Sequence, residues 1–412
     1  MNASSPATAS ALRLAIVTNI PAPYRVPVYN RIAAEPGITL RVFYAALSEP
    51  DRAWDLPAFA HDHVVLKGHM HVRGGRYIHD NRDVWGELAR YAPDVVLTTG
   101  YNPTHLYAWL YALLRGKRHV VMTDGTDVSE AGLGRVHRLV RKLVMVNSQA
   151  YVAASAGGWR LLRSYGVPDA RIHFSPLCAN TSVDWSAAAG GARDIDMLFS
   201  GRLVAVKNAG FALQVAQGVA QRLGRRIRLG VLGSGPLEAE LRQIAAQQAP
   251  SVDVTWAGHV SQADVPSWFQ RARLFLFPTL WDPWGVVANE ACLAGVPVLV
   301  TPHAGAAGEL VRDGVNGRVL PLDLTAWVEA AQQLLSDPAL HARLSGAARL
   351  CVGPYNFDNA AAGIVDAVRQ SQAGSGRSGA VTQTSRFGRP AGLPTAEMGN
   401  HSGRATDNAA DG

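Results

Sequence analysis

Two acidic residues eight positions apart, Asp282 and Glu290, lie on either side of a glycine and the start of a helical pattern. The backbone amides of Gly285, Val286 and Val287 would form the first turn of that helix, where they lack intrahelical acceptors and can bind an anion. Glu290 would lie more than one turn further along, where its carboxylate can accept two hydrogen bonds from hydroxyl groups. This spacing predicts an anion site beside a hydroxyl-binding site.

Two basic residues, Arg202 and Lys207, follow a strand-like run and precede a helix-like run. Cations beside a helix N-terminus suit a diphosphate, since the backbone amides and the helix dipole add to the side-chain charge. A solvated pair of surface cations explains this segment equally well.

A later strand-like run ends in Gly233, Ser234 and Gly235, and Pro236 takes the first position of the next helix. The segment lacks the third glycine of a dinucleotide fingerprint, and no acid ends the following strand-like run to bind a ribose. These features argue against NAD. A tight turn that requires glycine for steric reasons is the alternative role for this segment.

The elements that would position these residues alternate along the chain. Short apolar runs typical of buried strands alternate with amphipathic helical runs, which predicts parallel sheets covered by helices on both faces. Small and polar residues interrupt the pattern around 180–193, and the pattern then restarts. We therefore predict two doubly wound α/β domains joined by a hinge, with a ligand between them at the carboxyl ends of the strands.

Length and composition agree with this organisation. A chain of 412 residues exceeds one domain of ordinary size, and its 48% hydrophobic content suffices for buried cores. Three widely spaced cysteines without a CxxC pair argue against a disulfide framework and a zinc site, so a reducing cytoplasm is expected. No apolar run approaches the roughly 20 residues of a membrane span, and the N-terminus lacks the basic region of an export signal.

The net charge of +7 and the pI of about 9.5 favour an anionic partner, for which nucleic acid, a phosphosugar and an acidic lipid all qualify. The segment 134–146 combines basic and apolar residues on one helix, and such helices bind anionic membrane surfaces. A solvated basic face over an ordinary core stripe is the alternative. The basic residues of this helix are Arg135, Arg138, Arg141 and Lys142.

The segment around the two acids resembles the family 4 retaining glycosyltransferases of the GT-B fold. Their pattern is E-x7-E with a phosphate-binding glycine between the acids, followed by E-A-x-x-x-G-x-P-V, and "GELVRDGVNG" at 308–317 also matches the family. The resemblance covers most of residues 12–370 and is strongest over 194–320. The matching positions are Asp282, Gly285, Glu290, Ala291, Gly295, Pro297 and Val298.

The resemblance implies two Rossmann-like domains that face each other across a cleft, with the donor in the C-terminal domain and the acceptor in the N-terminal domain. Arg202 and Lys207 would bind the donor diphosphate, and Glu290 would bind the nucleotide ribose. Asp282 would lie near the donor sugar, where it replaces the usual Glu with a side chain one methylene shorter. The other implied donor-binding positions are Gly285, Val286, Val287, Gly258, Val260 and Gly233.

The N-terminal half is less informative. "TNIPAPYRVPVY" at 18–29 resembles a P-x-P-Y-R variant of bacterial polysaccharide transferases, and its prolines stiffen the loop. Polar side chains after later strands are expected to project toward the same cleft, although turn and capping roles explain them too. The candidate acceptor-side residues are Tyr24, Arg25, Tyr101, His105, Asp124 and Asp127.

The implied activity is retaining transfer of a sugar from a nucleotide-diphosphate sugar to a glycan or lipid-linked acceptor, in cell-surface polysaccharide synthesis. Side chains and helix amides would stabilise the departing diphosphate, so no metal, cofactor or nucleic acid is implied. The "DID" at 194–196 resembles a metal-binding DxD motif, but it precedes a strand, and we interpret it as solvent-facing acids at strand entry. The expected location is the cytoplasm, including the inner face of the membrane.

Two alternatives remain open. A nucleotide-sugar epimerase of the same fold would change the donor sugar without an acceptor. A catalytically silent sugar-nucleotide-binding protein would explain the shorter acid at Asp282.

The expected domain boundaries follow from the same patterns. The helix that precedes the tail could dock on either domain, and the tail itself is rich in Gly, Ser, Thr and Pro, so it cannot bury enough apolar surface to fold. The segments are a disordered N-terminus at 1–10, an N-terminal domain at 11–185, a C-terminal domain at 186–352, a helix at 353–372 and a disordered tail at 373–412.

Overall fold

The computed structural model of the protein describes residues 11–50, 54–73, 76–181, 183–185 and 193–373. The expectations for residues 1–10 and for the tail after residue 373 lie outside the described residues. Most of the predicted hinge after residue 185 also lies outside them.

The N-terminal half forms a parallel sheet of seven strands in the order β3-β2-β1-β6-β7-β8-β9, with a separate antiparallel hairpin of β4 and β5. Its elements are β1 (Leu12–Thr18), α1 (Val26–Ala33), β2 (Ile38–Tyr44), β3 (Asp62–Val65), β4 (His69–Arg73), β5 (Arg76–Asp80), α2 (Val84–Tyr91), β6 (Val95–Thr98), α3 (Pro103–Leu114), β7 (Arg118–Thr123), α4 (Asp127–Glu130), α5 (Arg135–Val146), β8 (Ala150–Ala153), α6 (Ala156–Ser164) and β9 (Ile172–Phe174).

The C-terminal half forms a second parallel sheet of six strands in the order β12-β11-β10-β13-β14-β15. Its elements, followed by a last helix, are β10 (Ile195–Ser200), α7 (Ala209–Leu223), β11 (Ile227–Leu232), α8 (Glu238–Gln248), β12 (Val252–Gly258), α9 (Val265–Arg271), β13 (Ala272–Phe277), α10 (Val286–Leu293), β14 (Val298–Val300), β15 (Gly317–Val319), α11 (Leu324–Ser336), α12 (Pro338–Val352) and α13 (Phe357–Gln372).

Each sheet is covered by helices on both faces, which explains why its central strands are continuous apolar runs. All four residues of β6 are buried, for example. In the C-terminal domain, α7 and α11 pack on one face of the sheet, while α9, α10 and α12 pack on the other. The prediction of two doubly wound α/β domains is confirmed.

The last helix returns to the first domain. Phe357, Ile364 and Val368 of α13 lie in the same hydrophobic cluster as Leu14 of β1 and Val152 of β8. The sequence left open which domain this helix joins, and the structure places it against the N-terminal sheet. None of the helices in the described part of the chain has the length and hydropathy needed to cross a membrane.

Candidate active site

Three loops at the carboxyl ends of adjacent strands are joined by backbone hydrogen bonds. The amide of Gly233, after β11, donates to the carbonyl of Gly258 at the end of β12 (2.7 Å), and the amide of Leu203, after β10, donates to the carbonyl of Ser234 (2.9 Å). A Cβ atom at Gly233, whose φ is +119°, would lie 2.0 Å from the carbonyl oxygen of Gly201. Gly233 therefore meets the steric requirement proposed for this turn, and its contact with a donor stays a prediction.

The first acid and one of the two cations, 75 residues apart in sequence, form an ion pair. The ammonium of Lys207 donates to one carboxylate oxygen of Asp282, and the other oxygen accepts the amide of Trp284 (3.1 Å). The loop that carries Asp282 is anchored beside Lys207, since the amide of Leu280 donates to the carbonyl of Val206 (2.8 Å). Lys207 and Asp282 were predicted to have separate roles, and the structure joins them in one ion pair.

A glycine with positive φ begins α10. Gly285 has φ +91°, and a Cβ atom there would lie 2.3 Å from the ring of Phe277, so both the conformation and the space require glycine. The amides of Gly285, Val286 and Val287 donate to no acceptor within the described residues. This first turn is therefore available to an anion, as the sequence predicts.

Glu290 follows one turn later on α10 and is 8% exposed. Its carboxylate has no hydrogen-bond partner in the described part of the chain, and burial raises its pKa to about 8. A buried carboxyl group without a partner is costly unless a ligand supplies the missing donors. Glu290 thus has the environment expected for a group that binds hydroxyls only when a ligand is present.

The two domains meet beside this helix through buried polar contacts. Asn289 of α10 donates its Nδ2 to the carbonyl of Leu177 (3.1 Å), which follows β9 in the N-terminal domain. Glu309 accepts the amide of Ala156 at the start of α6 (2.8 Å) and the hydroxyl of Tyr355 (3.4 Å). Burial raises the pKa of Glu309 to about 7. Glu309 lies in the segment 308–317, which matches the family pattern, and no role was predicted for this residue.

A cavity of about 170 Å³ lies in the N-terminal domain, at the carboxyl ends of the strands of its sheet. Tyr24, Arg25 and Asp124 line it together with Glu49 and Trp54, and the role of the first three as acceptor-side residues stays a prediction. Tyr24 also packs against the hydrophobic cluster that contains residues of both domains. The cavity therefore lies near the interface with the C-terminal domain.

Tyr101 and His105 do not line this cavity, contrary to the sequence-based expectation. The ring of Tyr101 lies under the guanidinium of Arg141 (4.4 Å), and burial raises the pKa of its hydroxyl. His105 turns inward on the first turn of α3 against Gly100 and is 1% exposed, and burial lowers its pKa to about 3. Asp127 also has a structural role, since it forms two hydrogen bonds with Arg160 (2.8 and 3.2 Å).

Both acids of the "DID" segment at 194–196 were expected to face solvent, and only the first of them does. Asp194 is partly exposed and pairs with Arg271 (2.7 Å). Asp196 is buried rather than solvent-facing, and its carboxylate accepts two hydrogen bonds from Arg225 (3.0 and 2.8 Å) and one from the amide of Arg228 (2.9 Å). No group of three or more His, Cys, Asp or Glu side chains within the described ranges could hold a metal ion.

The basic helix α5 has an unusual surface. Four of its apolar residues at helical spacing point to solvent, with Val136 73% exposed, while Val144 and Met145 are buried in the core. Arg141 does not belong to the basic face, because its guanidinium pairs with Glu130 (Nε to Oε2, 2.8 Å) and is largely buried. The exposed apolar stripe is Val136, Leu139, Leu143 and Val146, and the exposed basic residues beside it are Arg135, Arg138 and Lys142.

Residues 189–350 match the family model described as glycosyl transferases group 1. The chain is 28% identical over 166 residues to the alpha-D-kanosaminyltransferase of Streptomyces kanamyceticus, which is 40% of this chain and 42% of that protein. It is 32% identical over 181 residues to the D-inositol 3-phosphate glycosyltransferase of Streptomyces coelicolor, and this alignment covers 41% of this chain and 39% of that protein. The matched region thus spans about four tenths of the length of these curated relatives.

Solved structures resemble the chain over most of its length. Anabaena Alr3699/HepE in complex with UDP superposes with a TM-score of 0.68 at 14% identity, over 87% of this chain and all of that one. WaaG, a glycosyltransferase involved in lipopolysaccharide biosynthesis, superposes with a TM-score of 0.62 at 17% identity, over 86% and 98% of the two chains. The fold is the GT-B fold, as the resemblance implied.

Proposed function

We propose that the protein transfers a sugar from a nucleotide-diphosphate sugar to an acceptor hydroxyl, because residues 189–350 match the model of the glycosyl transferases group 1 family and the described residues have the GT-B fold. The observation that carries this proposal is Glu290, a buried carboxyl group without a partner in the described residues, one turn after the free amides that begin α10. These groups match a ribose and a diphosphate on the same ligand.

The donor would bind along α10. Its diphosphate would lie at the first turn, near the side chains of Arg202 and Lys207, and its ribose hydroxyls would donate to Glu290. The base would lie along the loop from Gly258 to Val260, which adjoins the β11 loop through a backbone hydrogen bond. The complexes of Alr3699/HepE with UDP and with UDP-glucose support a nucleotide sugar as the donor.

In the proposed reaction, the bond between the anomeric carbon and the diphosphate oxygen breaks and the acceptor oxygen bonds to the same carbon. The acceptor attacks from the face that the diphosphate leaves, its proton passes to the departing phosphate oxygen, and the anomeric configuration is retained. Helix amides and the two cations stabilise the charge on the leaving group, so the step requires no metal. Asp282 fixes the position of the Lys207 ammonium. Closure of the domains around Asn289 and Glu309 excludes water.

The acceptor we propose is a glycan or a lipid-linked sugar presented at an anionic membrane surface. The solvent-exposed apolar stripe of α5 supports this location, because burying it at a membrane interface removes apolar surface from water. The exposed basic residues on the same helix would bind anionic headgroups. WaaG is involved in lipopolysaccharide biosynthesis, which agrees with a part for this protein in cell-surface polysaccharide synthesis.

A screen of nucleotide sugars by thermal shift, followed by an assay for nucleoside-diphosphate release with and without acceptors, tests this function. Lys207→Ala should lower turnover about 10²-fold or more, and its melting temperature should fall as well, because the substitution leaves the largely buried carboxylate of Asp282 without its partner. Arg222→Ala, an exposed cation on α7 paired with Glu329, is the matched control. A changed donor sugar without an acceptor would indicate an epimerase, and binding without diphosphate release would indicate a silent binding protein.

A further inference from the structure

The helix that carries Glu290 also receives contacts from the N-terminal domain. Asn289, the residue before Glu290 on α10, is fully buried. Its Nδ2 donates to the carbonyl of Leu177 (3.1 Å), three residues after β9, and its Oδ1 accepts the indole N–H of Trp284 (2.8 Å). Both ends of the amide group are therefore bonded, and Asn289 sets the position of Trp284 relative to the N-terminal domain.

Trp284 connects this contact to the anion site. It directly precedes Gly285, the first residue of the turn that begins α10, and its own amide donates to Oδ1 of Asp282 (3.1 Å). The other carboxylate oxygen of Asp282 pairs with the ammonium of Lys207. A continuous series of three hydrogen bonds and one ion pair thus runs from the carbonyl of Leu177 to Lys207. We call it the Leu177–Lys207 linkage.

A second contact from the N-terminal domain also ends on Trp284. The indole of Trp284 stacks on the ring of Tyr355, with the ring centroids 5.4 Å apart. The hydroxyl of Tyr355 donates to Glu309 (3.4 Å), whose other carboxylate oxygen accepts the amide of Ala156 at the start of α6 (2.8 Å). Both buried polar contacts between the domains therefore act on the residue that precedes the anion-binding turn.

The linkage starts beside the cavity of the N-terminal domain. Ser175, two residues before Leu177, accepts a hydrogen bond from Nη1 of Arg25 (3.2 Å). Arg25 and Asp124 both line that cavity and pair with each other (2.6 Å). A segment of only three residues, 175–177, therefore joins the wall of the cavity to the carbonyl that Asn289 binds.

We propose that Asn289 is a positioning residue for sugar transfer, which through Trp284 holds the Lys207 ammonium in the geometry that stabilises the leaving diphosphate. This geometry is complete only while Asn289 is bonded to the N-terminal domain, so charge stabilisation depends on domain closure. The inference rests on the proposed function and concerns the same site. Because Glu290 and the helix amides bind the donor, loss of Asn289 should lower the rate far more than donor affinity.

Asn289→Leu tests this role, because leucine has about the same size and forms neither hydrogen bond. With the donor from the thermal-shift screen, kcat should fall about tenfold or more, while affinity for the nucleoside diphosphate stays within about threefold of wild type. The melting temperature should fall too, since buried polar groups lose their partners. Trp284→Phe keeps a ring against Tyr355 but lacks the N–H, so it should show the same split and tests the role even if Asn289→Leu does not fold.

Asn316→Leu is the matched control for lost stability. Asn316 is also fully buried, donates to the carbonyl of Leu310 (2.9 Å) and accepts the amide of Arg312 (2.7 Å). It contacts α10 as well, through the sulfur of Cys292 (3.7 Å), but none of these partners lies in the N-terminal domain. Its melting temperature should fall as in Asn289→Leu, and its kcat should stay near that of wild type. An equal fall of kcat in the two variants would overturn the inference.

The indole N–H of Trp284 gives a second measurement that needs no turnover. The chain has ten tryptophans, and in protein labelled with nitrogen-15 tryptophan the variant Trp284→Phe identifies the signal. UDP, the nucleotide in the Alr3699/HepE complex, should shift this signal in wild type, because its diphosphate binds at the adjacent turn. In Asn289→Leu the signal should move upfield, as for an indole without a hydrogen bond, and respond less to UDP. A signal that neither change moves would refute the linkage.

The failure of this inference differs from a failure of the proposed function. If wild type turns over no nucleotide sugar with any acceptor, the glycosyl transfer itself is wrong, whatever Asn289 does. If turnover occurs and Asn289→Leu loses no more kcat than Asn316→Leu, the transfer stands and the positioning role is wrong. The indole signal decides whether Asn289 connects the domain contact to the anion site without any turnover.

Discussion

Donor binding is expected to depend on pH through Glu290. This carboxyl group is 8% exposed, has no partner within the described residues, and has a pKa raised by burial to about 8. At pH 7 about nine tenths of it is then protonated, and ionising it costs about 1.4 kcal/mol. Ribose hydroxyls donate better to the carboxylate than to the neutral acid, so donor binding and loss of the proton are linked.

The linkage gives a definite profile. Donor affinity should rise about tenfold between pH 6 and pH 7, rise less between pH 7 and pH 8, and level off above the pKa of Glu290. The intact nucleotide sugar is the correct ligand, because its pyrophosphate diester does not titrate near neutral pH. Isothermal titration calorimetry in two buffers of different ionisation enthalpy should show release of close to one proton per donor bound at pH 7.

Glu290→Gln identifies the group responsible. The amide keeps one acceptor oxygen and cannot titrate, so this variant should bind the donor more weakly than wild type at pH 8 and show no pH dependence. Glu309→Gln, which removes the other carboxyl group with a raised pKa in the described residues, should keep the tenfold rise between pH 6 and pH 7. A flat profile in the wild-type protein, or the same slope in Glu290→Gln, would refute the argument.

The remaining predictions concern closure, membrane binding and the paired acid. Because burial raises the pKa of Glu309 from 4.5 to about 7, the closed arrangement should lose stability as the pH rises from about 4.5 to 7, and the radius of gyration from small-angle scattering should increase over that range and level off above it. Leu139→Glu combined with Leu143→Glu should reduce sedimentation with anionic vesicles without lowering the melting temperature, since both side chains are exposed. Asp282→Asn releases Lys207 from its ion pair, so kcat should fall while affinity for the nucleoside diphosphate stays within about threefold of wild type.

Each of these has a control or a contrary outcome. Glu309→Gln should show no change in radius of gyration between pH 4.5 and 7. Tyr355, Arg160 and Arg312 face the same region, and a change that persists in the variant would assign it to another group. Arg222→Glu adds negative charge away from α5 and should sediment like wild type. Full turnover in Asp282→Asn would leave Asp282 only a role in ordering its loop.

Local patterns predicted much of the architecture because parallel strands buried on both faces are continuous apolar runs. The strands β6 and β13 could be predicted for that reason. The glycine that begins α10 could be predicted because it stands directly before a helical run. The short strands β3, β4 and β5 were not predicted, because none of them contains a continuous apolar run. The docking of α13 was also undetermined, since its apolar stripe does not specify which sheet it covers.

The errors at the site have a common origin in contacts between distant residues. Helical spacing placed Arg141 on the basic face of α5, but a partner on α4, Glu130, draws it inward. Asp196 was assigned to solvent because it begins a strand, whereas Arg225 covers it from the loop before β11. Lys207 and Asp282 each matched a motif, and nothing in either motif indicated that they would pair. Charge pairing across the fold decided all three cases.

The position of α13 has a consequence for synthesis on the ribosome. The cluster beside β1 and β8 includes Phe357, Ile364 and Val368, so the N-terminal core stays open until the last helix emerges. Roughly 180 residues separate β9 from α13, which at about 5–20 residues per second corresponds to a delay on the order of 10–40 s. During that interval the nascent N-terminal domain exposes an apolar surface, and chaperones that hold nascent chains would bind it. A stop codon before residue 357 should therefore yield two domains of which only the second is folded.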